Sequence, residues 1–146
     1  MLSDVVAVIP TFRPPESVHY LVQELRPMVS ATVVVDDASP CTYDATLRGT
    51  EEHATAGQVR FAHNAGIARS LNVGLKLARR RGASWLLTLD QDSLITETYV
   101  QDLQLDLARA CESDKHVGAI APQFIDDKSG AISYPIHQHH GWAATE

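Results

Sequence analysis

The sequence predicts an α/β domain with a doubly wound, mainly parallel sheet and helices on both faces. Short β-branched runs, typical of buried parallel strands, alternate along its 146 residues with longer segments whose apolar residues repeat every three or four positions. Strands that alternate with helices build a parallel sheet through right-handed crossovers. The length fits one domain, and the content of 45% apolar and 21% charged residues is ordinary for a globular protein.

The first part of the chain predicts three strands and one helix. The first strand is the run DVVAVIP at residues 4–10, and the second is ATVVVDDAS at 31–39. A weaker third strand is QVRFAHN at 58–64. Between the first two strands lies a helix that Pro27 ends. Its buried face follows helical spacing and consists of Val18, Leu21, Val22 and Leu25.

The second part predicts two helices, two further strands and a hairpin. Residues 65–81 form one helix, and residues 96–112 form the other. The fourth strand is SWLLTLD at 84–90, and the fifth is HVGAIAP at 116–122. The segment QFIDDKSGAISYPI at 123–136 has the pattern of a hairpin.

Charge and hydropathy argue against two classes of protein. The formal net charge of -6 argues against nonspecific nucleic-acid binding as the main activity. No apolar run approaches the roughly 20 residues that span a bilayer, and no signal peptide is visible. We therefore expect a cytoplasmic protein without a nucleic-acid partner. Peripheral association with the inner face of the cell membrane stays open for a full-length protein.

The fourth predicted strand ends in two acids, Asp90 and Asp92, that stand two positions apart. Side chains at positions i and i+2 of a strand point to one face, so both carboxylates project to the same side if the strand continues through them. Two like charges held that close raise one pKa unless a cation lies near them. The spacing leaves three interpretations: a divalent metal site, a proton-sharing pair, or an exposed loop.

Polar clusters follow each of the first four predicted strands. They are residues 10–13, 36–39, 63–66 and 90–92. The carboxyl ends of parallel strands meet at one edge of the sheet, and ligands bind at that edge in doubly wound folds. Four clusters at one edge favour a ligand site over an exposed loop.

The polar residues, together with motifs that are missing, favour a nucleoside diphosphate as the ligand. The chain has neither G-x-G-x-x-G after its first strand nor a P-loop. An acid after the second strand, Asp36 or Asp37, lies where α/β sites contact a ribose or base. The turn at 65–66 opens a helix whose N–H groups could bind a phosphate, supplemented by Arg69. A metal at Asp92 would neutralise the diphosphate from the other side.

Four segments occur in a specific order, although each alone is a weak motif: VVAVIPTFRP, TVVVDDASP, VRFAHNAGIARSLNVGLKLA and WLLTLDQDS. Together they resemble the nucleotide-binding half of a family-2, GT-A-type glycosyltransferase, and the resemblance covers residues 4 to about 126. The forms LTLDQDS and NAGIARSLNVG are most similar to bacterial rhamnosyltransferases of cell-surface polysaccharide assembly.

The resemblance implies a site for a nucleotide-diphosphate sugar, such as dTDP-rhamnose or a UDP-sugar. The residues that match the family's binding positions are Thr11, Arg13, Asp36, Asp37, Asn64, Gly66, Arg69 and Asp90. Either Asp36 or Asp37 matches the acid that bonds the pyrimidine base. Asp92 matches the direct metal ligand, with Asp90 near the ribose and a metal-bound water, so Mg²⁺ or Mn²⁺ is implied.

The resemblance also implies the domain organisation and the missing part of the chemistry. Residues 1–126 match the donor-binding domain, and residues 127–146 would begin the acceptor-side region of a truncated chain. Inverting enzymes of this family use a carboxylate base on a glycan or lipid-linked acceptor, and that base is expected beyond residue 146. Asp126 and Asp127 fit the hairpin turn better. We expect the chain alone to bind nucleotide and to transfer little or no sugar.

Three other interpretations use the same acids. A haloacid-dehalogenase-type phosphatase would use Asp90 as nucleophile and Asp92 as acid/base, but that family carries the motif on its first strand. A phosphoacceptor receiver module needs a lysine at the end of its fifth strand, whereas Lys115 precedes the predicted one. The third is a nucleotide-sugar-binding domain that does not catalyse.

Overall fold

The computed structural model describes most of the chain: residues 4–53, 57–113, 117–123, 125–126 and 129–132. Its contacts divide the chain into two compact units, Met1–Val100 and Gln101–Glu146. The first unit contains the whole sheet. The domain boundary that the sequence places at residue 126 stays a prediction.

The first unit is built on a four-stranded sheet whose strands are all parallel. The strands are β1 (Val5–Thr11), β2 (Ala31–Asp36), β3 (Gln58–Arg60) and β4 (Trp85–Thr88). Their spatial order is β3-β2-β1-β4. In the register of this sheet, Val8 of β1 pairs with Val33 of β2 and with Thr88 of β4. The α/β class and the parallel sheet predicted from the sequence are confirmed.

The helices follow the predicted order with one addition. They are α1 (Val18–Leu25), α2 (Asp44–His53), α3 (Ile67–Arg80) and α4 (Tyr99–Ser113). The predicted inner face of α1 is confirmed, because all four of its apolar residues are buried. The α3 helix begins two residues later than predicted, since Gly66 at its N-terminus has a φ of 85°. The α4 helix begins at Tyr99 rather than at residue 96.

The sequence analysis missed α2 and the 3-10 turn, Cys41–Tyr43, that precedes it. The sequence of α2, DATLRGTEEH, has too few apolar residues to show a helical stripe. Tertiary contacts hold it in place, because α2 packs on α1 and its Leu47 is buried. At this junction the Nε2–H group of His19 in α1 donates to the carbonyl of Thr46.

Strand β1 shares its side chains between the two faces of the sheet. Ala7 and Ile9 lie in a cluster with the inner face of α1, whereas Val6 and Val8 lie in a second cluster with Ala78 of α3. Helices therefore cover both faces, as predicted. The chain runs outward from β1 through β2 to β3, and then returns to place β4 on the other side of β1. Because the strand order reverses between β1 and β4, the expected ligand position is at the carboxyl ends of these two strands.

The described part of the second unit confirms one predicted element and contradicts another. Ile125 pairs with Ile132 in an isolated antiparallel bridge, and the Asp126 carboxylate accepts from the Ser129 N–H at 2.7 Å. The hairpin turn is thus confirmed where it is described, while Asp127 and Lys128 lie outside the described residues. The prediction of a fifth strand is wrong, because residues 117–122 are described and form no strand.

The described residues contain no helix that is both long enough and apolar enough to cross a membrane.

Candidate functional site

A cleft of about 290 Å³ lies at the carboxyl edge of the sheet. Its walls come from the end of β1, the residue after β2, the first turn of α3 and the acidic turn that follows β4. We use the name acidic turn for residues 90–92. The lining includes Thr11, Asp37, Ile67, Ser70, Asp90 and Asp92. Three of the four predicted polar clusters therefore meet in one place, at the edge between β1 and β4.

Asp36 lies under the cleft and is fully buried, with 0% exposure. Its carboxylate accepts from the Thr11 hydroxyl at 3.4 Å and from the Ser39 N–H at 3.1 Å, and it pairs with Arg60 Nε at 3.1 Å. Arg60 also donates to Asp44 at 2.6 Å, and this hydrogen bond raises the pKa of the Arg60 guanidinium. All these partners belong to the protein, so Asp36 holds the ends of β1, β2 and β3 together.

Asp37 lines the cleft but uses both carboxylate oxygens to hold the chain before α3. It is 6% exposed, and it accepts from the Ala65 N–H at 2.7 Å and from the Gly66 N–H at 2.8 Å. The Asn64 side-chain amide donates to the Asp37 carbonyl at 3.4 Å. The Ala65 and Gly66 N–H groups, to which the sequence analysis assigned a phosphate, thus bond an internal carboxylate in this structure. An internal carboxylate already occupies the position that favours an anion.

The two arginines predicted to bind the ligand lie outside the lining of the cleft. The Arg69 guanidinium stacks over the Phe61 ring at 5.3 Å, and the Arg13 guanidinium stacks over the Phe12 ring at 5.0 Å. Both arginine side chains are exposed at the surface. Such cation–π contacts contribute roughly 0.5–1 kcal/mol at exposed sites, and they leave the in-plane N–H groups of each guanidinium able to donate to a ligand.

Asp90 and Asp92 are exposed and line the cleft together. The Ser93 N–H donates to the Asp90 carbonyl at 3.1 Å, which closes the acidic turn. Within the described residues, no group of three or more His, Cys, Asp or Glu side chains is placed to hold a metal ion. Two carboxylates suit Mg²⁺ or Mn²⁺ only when a ligand's phosphate oxygens and water complete the octahedral shell. The donor set therefore fits a metal that arrives with a diphosphate.

The sequence reasoning gave no role to two polar residues that line the cleft, Ser70 and Gln91. The Gln91 side chain makes two hydrogen bonds to the backbone of Phe12, 79 residues away in sequence. The Ser70 side chain is fully buried in the wall of the cleft, and its hydroxyl has no hydrogen-bond partner in the described structure. The local sequence does not predict the surroundings of either side chain. The register of β1 and β4 decides what Gln91 contacts, and the rotation of α3 about its axis decides what Ser70 contacts.

Removing the Asp37 carboxylate is expected to loosen the start of α3. In Asp37→Ala the Ala65 and Gly66 N–H groups lose their acceptor, and such unsatisfied groups cost about 1–3 kcal/mol. We expect a loss of about that size in the free energy of unfolding, measured by urea denaturation. Asp37→Asn keeps one acceptor oxygen and should lose less. Equal stability of all three proteins would contradict the described contacts.

Comparisons with known proteins identify the family of the chain. The family model "Glycosyl transferase family 2" matches residues 6–139. The dTDP-rhamnosyl transferase RfbF of Shigella flexneri is 32% identical over 137 residues, which are 93% of this chain and 43% of that protein. The chain thus spans less than half the length of this relative.

Solved structures show the same fold. The crystal structure of S. aureus TarS 1-349 superposes with a TM-score of 0.54 at 19% identity, over 82% of this chain and 38% of that one. A second S. aureus TarS structure gives a TM-score of 0.53 at 18% identity, over 84% of this chain and 24% of that one. The GT-A-type fold is thereby confirmed. With the family model matched over most of its residues, the chain belongs to glycosyl transferase family 2.

Proposed function

We propose that the chain is the donor-binding part of a glycosyltransferase that uses a nucleotide-diphosphate sugar, with dTDP-rhamnose as the first candidate. The observation that carries this proposal is the meeting of Thr11, Asp37, Asp90 and Asp92 in one cleft at the edge between β1 and β4. Ligands of doubly wound sheets bind at such an edge. The relative named as a dTDP-rhamnosyl transferase supports the choice of donor.

In this proposal, different residues of the cleft bind the diphosphate and the nucleoside of the donor. Asp90 and Asp92 would hold Mg²⁺ or Mn²⁺, which stabilises charge on a departing diphosphate. The nucleoside would lie toward Thr11, Phe12 and Asp37, at the end of β1. Phe12 is 39% exposed there and offers an aromatic surface. The family resemblance assigns Arg13 to the loop that lines the nucleotide and Asn64 to the segment that flanks the nucleotide sugar.

The sugar would pass with inversion to a hydroxyl of a cell-surface glycan or lipid-linked acceptor. This reaction needs a carboxylate to deprotonate the acceptor hydroxyl. Asp37 cannot serve as that base without giving up the two N–H groups it holds. We therefore keep the general base outside the described cleft.

Two of the three other interpretations can be separated from this proposal by experiment. The phosphatase interpretation loses support, because the acidic turn follows β4, and because the family model matches residues 6–139. A phospho-aspartate trapped with aluminium or beryllium fluoride would revive it. A non-catalytic nucleotide-sugar-binding domain predicts the same cleft, and only sugar transfer by a full-length protein distinguishes it from an enzyme.

A thermal-shift titration tests the donor site directly. We expect dTDP with Mn²⁺ to raise the melting temperature more than UDP or GDP does, and EDTA to remove the rise. A ligand stabilises the native state only if it binds that state in preference to the unfolded one. At a ligand concentration a hundredfold above the Kd, this stabilisation is about 2.7 kcal/mol. Mn²⁺ alone is the control for general metal effects.

The outcomes separate the parts of the proposal. A rise for UDP rather than dTDP would keep the site and replace the donor. A rise that survives EDTA would remove the metal from the site. No rise for any nucleotide up to millimolar concentration would contradict the proposed function of this chain.

A further inference from the structure

The side chain of Gln91 joins two walls of the cleft. Its Oε1 accepts from the Phe12 N–H at 2.9 Å, and its Nε2 donates to the Phe12 carbonyl at 3.2 Å. Gln91 stands between Asp90 and Asp92, and both Gln91 and Phe12 line the cleft. One amide thus satisfies both backbone groups of one residue, as a neighbouring strand would.

The two hydrogen bonds of Gln91 support the chain after β1 at a point where β4 has already ended. Strand β4 ends at Thr88, which pairs with Val8, so β1 continues beyond the last residue that β4 can support. The Leu89 N–H still reaches the Val8 carbonyl at 3.2 Å. Past that point Gln91 is the group that holds the backbone of Phe12 on the β4 side.

The other side of the same loop is held by β2 and the turn after it. The Asp37 N–H donates to the Thr11 carbonyl at 2.8 Å, and the Arg13 N–H donates to the Ser39 hydroxyl at 2.8 Å. Arg13 has a φ of 52°, a left-handed conformation that costs energy for a residue with a side chain. The loop after β1 is therefore set in an uncommon conformation between two supports, and Gln91 is the support that belongs to the acidic turn.

We propose that Gln91 is a positioning residue that couples the acidic turn to the loop after β1, so that a metal at Asp92 and a nucleoside beside Phe12 favour each other's binding. This inference rests on the proposed donor site and names a connection within it. Coupling between two sites is reciprocal and typically changes affinity about 5- to 150-fold. The two hydrogen bonds are exposed, so we expect a value near the lower end.

The test replaces Gln91 by methionine, which has a similar length and makes neither hydrogen bond. Gln23→Met, on the exposed face of α1, is the matched control. In the ligand-free protein, the Phe12 amide should exchange with water faster in Gln91→Met than in the wild type or the control, as measured by NMR. In calorimetry, the ratio of the dTDP Kd in EDTA to that in Mn²⁺ should fall about fivefold in Gln91→Met alone.

Each outcome decides between the two proposals. If Mn²⁺ lowers the dTDP Kd by the same factor in the wild type and in Gln91→Met, the coupling is overturned and the donor site stays intact. A wild type whose dTDP affinity ignores Mn²⁺ overturns the metal-dependent site and the coupling with it. Unchanged exchange of the Phe12 amide in Gln91→Met overturns the coupling whatever the nucleotide does. A merely structural role would lower the melting temperature and leave the Kd ratio unchanged.

Discussion

Asp92→Asn is expected to abolish metal-dependent nucleotide binding while leaving the fold intact. Asp92 is exposed at the cleft, and no third protein ligand in the described residues can replace it. The amide is almost the same size but neutral, and it binds a hard cation far more weakly than a carboxylate does. Loss of outer-shell partners alone costs about 10- to 100-fold in metal affinity, so loss of a ligand should raise the dTDP Kd in Mn²⁺ by at least ~10-fold.

The control for this variant is Asp106→Asn, which changes the net charge equally at an exposed position of α4. Asp106 pairs with Arg109 at the surface, where such ion pairs contribute little. Calorimetry with Mn²⁺ and with EDTA should show the loss in Asp92→Asn and not in Asp106→Asn. If Asp92→Asn binds dTDP as the wild type does, the assignment of the metal ligand is wrong. If it binds neither with metal nor with EDTA, the acid acts on the nucleotide itself.

The sequence was sufficient for the parts of the fold that depend on local pattern. The β-branched runs and the three-four spacing located the four strands, and α1, α3 and α4, within a few residues. Both Asp90 and Asp92 line the cleft, but strand alternation is not the reason, because β4 ends at Thr88 and a turn carries residues 90–92. The family resemblance supplied the expectation of a donor site, which the comparisons support at the level of the family.

The parts that failed depend on contacts distant in sequence. The sequence treats Asp36 and Asp37 as equivalent, whereas the sheet gives Asp36 the salt bridge to Arg60 and gives Asp37 the two N–H groups before α3. The helix α2 has no apolar stripe of its own and depends on α1 for its burial. No local pattern reports that Gln91 will meet Phe12, since that contact exists only after β1 and β4 pair.

Gly74→Ala is expected to destabilise the protein, although alanine favours helices. Gly74 lies in α3 and is buried against β1, where an added Cβ would lie 2.3 Å from Val8 Cγ1 and 2.6 Å from Cγ2. Val8 is 0% exposed, and its branched side chain has little freedom to move. The intrinsic helix gain of about 1 kcal/mol is smaller than the overpacking cost, which is typically about 1–3 kcal/mol and occasionally more. Urea denaturation should therefore show a lower free energy of unfolding for the variant.

A double-mutant cycle with Val8→Ala identifies the cause. Val8→Ala removes the two methyl groups that the new Cβ would meet, so the double variant should lose less stability than the two single variants add up to. Lys76→Ala, on the exposed side of α3, should stay near the wild type and excludes a general effect on the helix. The same contact sets the position of Ile67 and Ser70, because both lie in the first turn of α3 and line the cleft. If Gly74→Ala is stabilising, α3 does not pack this closely on β1, and the wall of the cleft that it carries lies farther from the acidic turn.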